Sequence, residues 1–440
     1  MHLTGWGRYP AVDCAVHYPR SNDDVRHIVL SGPTIARGCG RAYGDSALNG
    51  ASTLNMTRFN RMISFDETTG SLTAEAGVQL ADIISAFLPR GWFPHVTPGT
   101  KYVSVGGLIA ADVHGKNHHS KGSFGRYIDW IDVMIADGTI VRCSPQIEPE
   151  LFGFTIGGMG LTGVILRAAF RLMPVESAWI QQQVKPAACL SEAIDHFERS
   201  LNSTYSVAWI DCLARGRSLG RSLVVLGEHS LHSELSPEQQ QNPFKTPPRS
   251  QTTVPFDMPS FSLNRYSVRA FNSLYYANAR RSAREHIIDW DRFFYPLDSI
   301  LDWNRIYGRR GFAQFQCVIP LATAERGLGT LLECISEAGH GSFLAVLKRM
   351  GRQDSHYSFP TEGYTLALDF PLRPGCFELM NKLDAITISH GGRFYLAKDS
   401  RMSARTLEQS DHRTDSFREM RRMTGAGSRF ISLQSTRLSL

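Results

Sequence analysis

Leu80, Ile83, Ile84, Phe87 and Leu88 recur at the three- and four-residue steps of one helical face. Gly91 is placed to end that helix after Arg90. Apolar runs at 71–76, 131–135 and 139–143 read as short strands. Asp137-Gly138 joins the last two, a dipeptide suited to a hairpin turn. Short strands and helices alternate in this way as far as Val175, which predicts an α+β unit. Beyond Pro174, runs at 178–184 and 206–211 predict further strands. Helical spacing returns at 324–338 and 377–389, the second stopping at His390-Gly391-Gly392. Two domains are expected, 1–175 and 176–391, with 392–440 returning to the first. The stretch 235–261 interrupts the pattern. It is rich in proline, carries three consecutive glutamines and shows little apolar periodicity, so it reads as a mobile surface loop.

Two segments depart from ordinary element patterning. Val105-Gly106-Gly107 opens a stretch that closes with His114, Gly115, Lys116, Asn117, His118 and His119. Glycines allow close approach of backbone to a ligand, and the polar cluster is too dense for a core strand or one helix face. The second segment runs Ala36, Arg37, Gly38, Cys39, Gly40, Arg41, Ala42, Tyr43, Gly44, Asp45, Ser46. Its glycine N–H groups and two guanidinium groups suit a pyrophosphate. The glycines do not give the G-x-G-x-x-G spacing, and a strand follows rather than a helix, so this is no Rossmann fingerprint.

Charge and composition narrow the classes. The 440 residues carry a net charge of +6, and residues 391–440 hold ten Lys or Arg against five Asp or Glu. That surplus reads either as solvated helix faces or as attraction to a phosphorylated substrate or an acidic lipid surface. Basic runs interleaved with aromatics are missing, which argues against nucleic acid. Eight cysteines are scattered without a C-x-x-C pair, so disulfides are not expected. His114, His118 and His119 do not have zinc-site spacing, and no metal is expected. The first residues lack the basic-then-apolar pattern of a signal peptide, and no apolar run reaches bilayer length. The expected location is the cytoplasm.

Arg37-Gly38-Cys39-Gly40-Arg41-Ala42-Tyr43-Gly44-Asp45 resembles the R-G-x-G-R-S-Y-G-D loop of the vanillyl-alcohol oxidase superfamily of flavoproteins. The stretch 105–119, with Gly122-Ser123-Phe124-Gly125, is similar to the decaprenylphosphoryl-β-D-ribose 2′-oxidase family within it. The likeness continues through Gly157-Gly158-Met159-Gly160-Leu161-Thr162-Gly163, Tyr295-Pro296-Leu297-Asp298, Trp303-Asn304-Arg305 and Ala397-Lys398-Asp399-Ser400-Arg401. It implies an α+β flavoprotein of two domains: a PCMH-type FAD-binding domain and a substrate (cap) domain on an antiparallel sheet. The implied activity is FAD-dependent oxidation of the 2′-hydroxyl of a polyprenyl-phosphoryl-β-D-ribose to a ketone. A separate short-chain dehydrogenase/reductase would complete epimerisation to the arabinose donor for arabinan of the cell envelope. The alternative is an oxidase of a soluble sugar, alditol or aldonolactone. Peripheral contact with the inner membrane follows from the lipid substrate, through the basic C-terminal segment or the 235–261 loop.

The resemblance assigns roles residue by residue. Residues 36–46 would hold the FAD pyrophosphate, completed by Gly99, Ser104, Val105, Gly106 and Gly107. Ala111, Asp112, Val113 and His114 would line the isoalloxazine or ribityl chain. Val164 or Ile165 would offer backbone groups to the adenine end, and Tyr395 would lie near the ring. Lys398 would be catalytic, stabilising charge on the ring and contacting the substrate hydroxyl, with His114 assisting. Tyr295, Gln314, Gln316, Lys348, Thr365, Ala367 and Trp209 would line the substrate pocket. The family's pocket strand reads G-W-N-I-C-V-D-F-P where this chain has Gly363 to Pro371 with Thr365 for the asparagine and Ala367 for the cysteine. The attachment position used for a histidyl-flavin bond in related oxidases is Arg41, so FAD is expected to be non-covalent.

Overall fold

The computed structural model describes residues 1–259, 263–281 and 285–440. Helix Leu80–Phe87 buries Leu80, Ile83, Ile84 and Phe87, the side chains that set its periodicity. A 3-10 turn, Leu88–Arg90, carries it to Gly91, whose φ of 81° ends it in the left-handed region. The hairpin also forms. Strands Ile128–Met134 and Ile140–Cys143 pair antiparallel, and Gly138 at φ 81° makes the turn. With Val164–Pro174, Ser71–Glu75, Met62–Asp66 and Trp92–Pro94 they build a six-stranded antiparallel sheet. A small parallel sheet of Ala15–His17, Ser52–Asn55 and Ile35–Arg37 lies beside it, and the last strand releases the Gly-rich loop at Gly38.

The large sheet has eight strands, all antiparallel: His286–Asp289, Trp179–Ala187, Ser222–His229, Tyr205–Ile210, Ala345–Met350, Gly363–Pro371, Phe312–Pro320 and Arg393–Phe394. Three neighbouring strands toward one edge, 345–350, 363–371 and 312–320, set the chemistry of its two faces. Phe315, Cys317, Ile319, Leu347, Leu366 and Leu368 pack in one core with Leu328, Leu331 and Leu332 of helix Ala324–Ala338 and Leu379, Met380 and Leu383 of helix Cys376–Ser389. The alternate positions Gln314, Gln316, Lys348, Thr365 and Ala367 point the other way. Register pairs Gln316 with Ala367 and Lys348 with Thr365. A slip of one residue would send leucines into the cavity and amides into the core.

Two expectations are corrected. Residues 237–259 are pinned, not a free loop. Arg249 donates to the carbonyls of Tyr295 at 2.7 Å and Pro296 at 2.6 Å. Thr252–Thr253 pairs with Ile300–Leu301, and Met258 N–H donates to Arg305 O at 2.9 Å. These partners are distant in sequence, so local composition carries no trace of them. Residues 260 and 261 lie outside the described residues. The C-terminal arginines, in turn, are largely used internally. Arg401 pairs with Asp384, Arg413 with Asp411, Arg418 with Glu408, and Arg437 with both Asp45 and Asp399. Arg421 is fully buried and donates to Leu161 O and Phe430 O. These interactions tie the segment to the start of the chain. Ile431 N–H donates to Thr34 O, Thr34 N–H to Arg429 O, and Leu433 N–H to Leu48 O.

Candidate active site

A cavity of about 430 Å³ lies where the Gly-rich loops meet the polar face of the eight-stranded sheet. Glycine is required on the loop side. A Cβ on Gly38 would stand 1.9 Å from Ser104 Oγ, and one on Gly106 would stand 3.0 Å from the Ala76 methyl. Ser104 caps helix Val105–Ala110 by accepting from Gly107 N–H, which turns that helix start toward the same space. The loop arginines are also held by the chain itself. Arg37 donates to Thr4 O at 2.7 Å. Arg41 stacks 4.2 Å from the Trp6 ring centroid and donates to Tyr102 O at 3.2 Å. The guanidinium groups therefore brace the loop against backbone carbonyls, as burial of both arginines favours.

The cavity collects most of the residues that the sequence singled out. Ala36, Arg37, Gly38, Cys39, Gly40, Arg41, Ala42, Tyr43 and Ser46 line it, with Gly99, Ser104, Gly106, Gly107, Ala111, Val113, His114, Ile165 and Tyr395. Lys398, Lys348, Gln314, Gln316, Thr365 and Ala367 complete the opposite wall. Gln316 Nε2 lies 3.1 Å from His114 Nε2 and donates to Thr365 Oγ1 at 3.2 Å. The Lys398 ammonium sits 3.5 Å from the Tyr43 ring centroid.

Seven expected residues stand elsewhere, each for a packing reason. Gly44 backs onto the Asp399 carbonyl, and Asp45 is clamped by Arg437. Val105 and Val164 point into apolar cores. Asp112 is fully buried, with φ 39°, and accepts from Ser123 Oγ, Gly125 N–H and Gln353 Nε2 at 2.7, 2.8 and 2.9 Å. It holds the turn after helix Val105–Ala110. Tyr295 is buried between Trp290 and Phe294. Trp209 shares the sheet face with its neighbour Val346 but lies against Tyr275 of helix Arg265–Arg281, one strand beyond the cavity.

The electrostatics follow from burial. Burial drives the Lys398 pKa down and that of Asp369 up, their opposite charges partly offsetting this. Burial also brings Lys348 down to about 8. His114 is held well below its ordinary value by burial and by Lys348, so it is neutral. Sequence reasoning left Asp369 without a role, although it is fully buried, accepts from Gln314 Nε2 and lies 3.5 Å from the Tyr307 hydroxyl. A carboxylate at the inward register of an apolar strand was the available signal. Trp6, Tyr102, Asp298 and Trp303 at the rim were also missed, as single aromatics and acids without spacing.

Residues 14–144 match the FAD binding domain family. The whole chain aligns with decaprenylphosphoryl-β-D-ribose oxidase of Mycolicibacterium smegmatis at 35% identity, covering 97% of that protein. The chain belongs to the decaprenylphosphoryl-β-D-ribose oxidase family. An uncharacterised Streptomyces coelicolor protein is 32% identical over 82% of this chain and 99% of its own length. A putative D-arabinono-1,4-lactone oxidase of Neurospora crassa is 26% identical over 41% of the chain and 34% of its own. This member of the oxidase family is an FAD-dependent oxidoreductase. Its cavity suits the cofactor: one wall is glycine-rich backbone that a Cβ would obstruct. Opposite it, the buried His114 Nδ1 and Gln314 Oε1 have no hydrogen-bond partner among the described residues, as expected of groups that face a polar ring.

Proposed function

We propose that the chain oxidises the 2′-hydroxyl of a polyprenyl-phosphoryl-β-D-ribose to the 2′-ketone. One observation carries the reading: two half-buried lysines and two buried glutamines face the glycine-rich wall across a single cavity. Bound FAD supplies the acceptor for the hydride leaving C2′. Residues 36–43, Ser104, Gly106 and Gly107 would hold it without a covalent bond, since Arg41 occupies the position of a histidyl linkage. Lys398 would take the hydroxyl proton, because burial lowers the cost of its neutral form. Gln316 would orient the sugar while neutral His114 anchors that amide. Lys348, with a pKa of about 8, is mostly an ammonium at neutral pH and would face the phosphate. The FAD-binding part would comprise 1–175 and the returning 392–440, with 176–391 the substrate part.

The ketone would pass to a short-chain reductase for the second half of an epimerisation. The place of work would be the cytoplasmic side of a membrane; no helix among the described residues is long and apolar enough to cross one. Anaerobic mixing of the yellow protein with polyprenyl-phosphoryl ribose should bleach the flavin. Bleaching by free sugars or aldonolactones, with none by the lipid-linked ribose, would overturn the substrate assignment in favour of the soluble-sugar alternative.

A further inference from the structure

Helix Arg265–Arg281 is seventeen residues long, yet only Val268 and Asn272 are buried. Tyr266, Ala270, Leu274 and Ala277 recur at three- and four-residue steps on the opposite side, all exposed. Tyr266 is 74% exposed and Leu274 66%. Arg265, Arg269, Arg280 and Arg281 are also exposed, and the helix contains no acidic residue. A ridge of this kind, apolar at its crest and positive around it, is costly to leave in water.

Its position gives it a use. Phe271 packs on Phe343 at 4.4 Å between ring centroids, and the next residue, Leu344, lines the cavity. Phe256, too, is 61% exposed beside strand Thr252–Thr253, which pairs with Ile300–Leu301; both of those residues line the cavity. Exposed apolar side chains thus adjoin two separate stretches of the cavity lining.

We propose that the 265–281 ridge, with Phe256, is the surface on which the protein rests against an anionic lipid bilayer, with the cavity entrance toward the headgroups. The choice of occupant rests on the lipid-linked substrate reading above and on the charge: arginines without acids complement anionic headgroups, and a crest of Tyr and Leu enters the interfacial region. The C-terminal segment, most of whose arginines bond within the protein, offers this less.

The test is sedimentation of the flavin-loaded protein with phosphatidylglycerol and phosphatidylcholine vesicles at low salt. The parent should bind the anionic vesicles and leave the zwitterionic ones. Tyr266→Asp with Leu274→Asp should bind at least tenfold more weakly, since two buried apolar groups are lost and two repelled charges gained. The double variant should still oxidise a short-chain, water-soluble prenyl-phosphoryl ribose at the parent's rate. Binding by the variant equal to the parent's, or no binding by the parent, overturns the proposal. So does light scattering that shows a parent dimer which the variant breaks, because the ridge would then belong to a second copy. If no lipid-linked ribose bleaches the flavin while vesicle binding still depends on the ridge, the surface stands and the substrate reading falls.

Discussion

Gly38→Ala tests the cradle at its tightest point. The new methyl carbon would stand 1.9 Å from Ser104 Oγ and 3.0 Å from Ser104 Cβ. The hydroxyl can rotate away, but Ser104 is 2% exposed and its Cβ cannot retreat without moving the helix start. Rotation also removes the cap that Oγ gives Gly107 N–H. The lost cap costs about 1 kcal/mol and the overpacking about 1–3 kcal/mol, so the variant should lose about 2–4 kcal/mol of stability. FAD affinity should fall with it, because the displaced helix start is part of the cavity wall. Urea unfolding of the apoprotein measures the first quantity, and flavin retained on dilution measures the second. Ser104→Gly added to Gly38→Ala removes both clashing atoms, and a glycine cap costs only a few tenths of a kcal/mol. The double variant should therefore recover most of what the single one loses. A single variant indistinguishable from the parent, or a double variant no better than the single, would refute the account of this contact.

Lys398→Ala should keep its flavin and lose about 10²–10⁴ in the rate of flavin reduction, the usual contribution of one positioned general base; stopped-flow reduction at the parent's rate would remove Lys398 from the chemistry. Asp369→Asn removes the carboxylate whose charge raises the Lys398 pKa, so the rate of flavin reduction should turn on at a lower pH than in the parent. A pH profile identical to the parent's would show that Asp369 does not act on Lys398. His118 accepts from Gly351 N–H at 3.1 Å and lies 2.8 Å from Gln353 Oε1, and burial takes its pKa down to about 4. The unfolded chain binds this proton near pH 6.5, so stability is complete above that pH and declines as pH falls toward 4, by up to about 3 kcal/mol. Urea midpoints at pH 7 and 4.5 for the parent and His118→Asn should show the smaller loss in the variant. Ala367→Cys should place a reactive thiol on the cavity wall, so that a small maleimide labels residue 367 and slows turnover; a variant that mass spectrometry shows unlabelled at residue 367 would contradict the cavity geometry.

The helices at 80–87, 324–338 and 376–389 were legible because each presents one apolar stripe to one core. Both Gly-rich loops were legible because close approach restricts the residue type. Their convergence with Gln314, Gln316 and Lys348 came from resemblance, since no local pattern relates residues 38 and 348. In a sequence, Arg37 and Arg41 read as anion ligands, and the carbonyls of Thr4 and Tyr102 that also hold them leave no compositional mark. Tyr295 and Trp209 were misplaced by the same limit, because an aromatic in a buried cluster and one at a cavity wall have equal hydropathy. Helix Arg265–Arg281 went unread because its apolar residues cover two sides.

Arg437 reaches back across nearly four hundred residues to Asp45, and Leu433 N–H to the Leu48 carbonyl, just behind the first glycine loop. During synthesis that loop leaves the ribosome long before its brace exists. The flavin cradle should therefore mature only once residues 433–437 have been made and have folded back, and a nascent chain stalled at residue 425 should be unable to hold flavin. Deleting residues 429–440 should act on cofactor occupancy rather than on the remote catalytic groups. Helix Leu433–Arg437 is placed as a latch behind the loop, so the cradle is completed late in the order of synthesis.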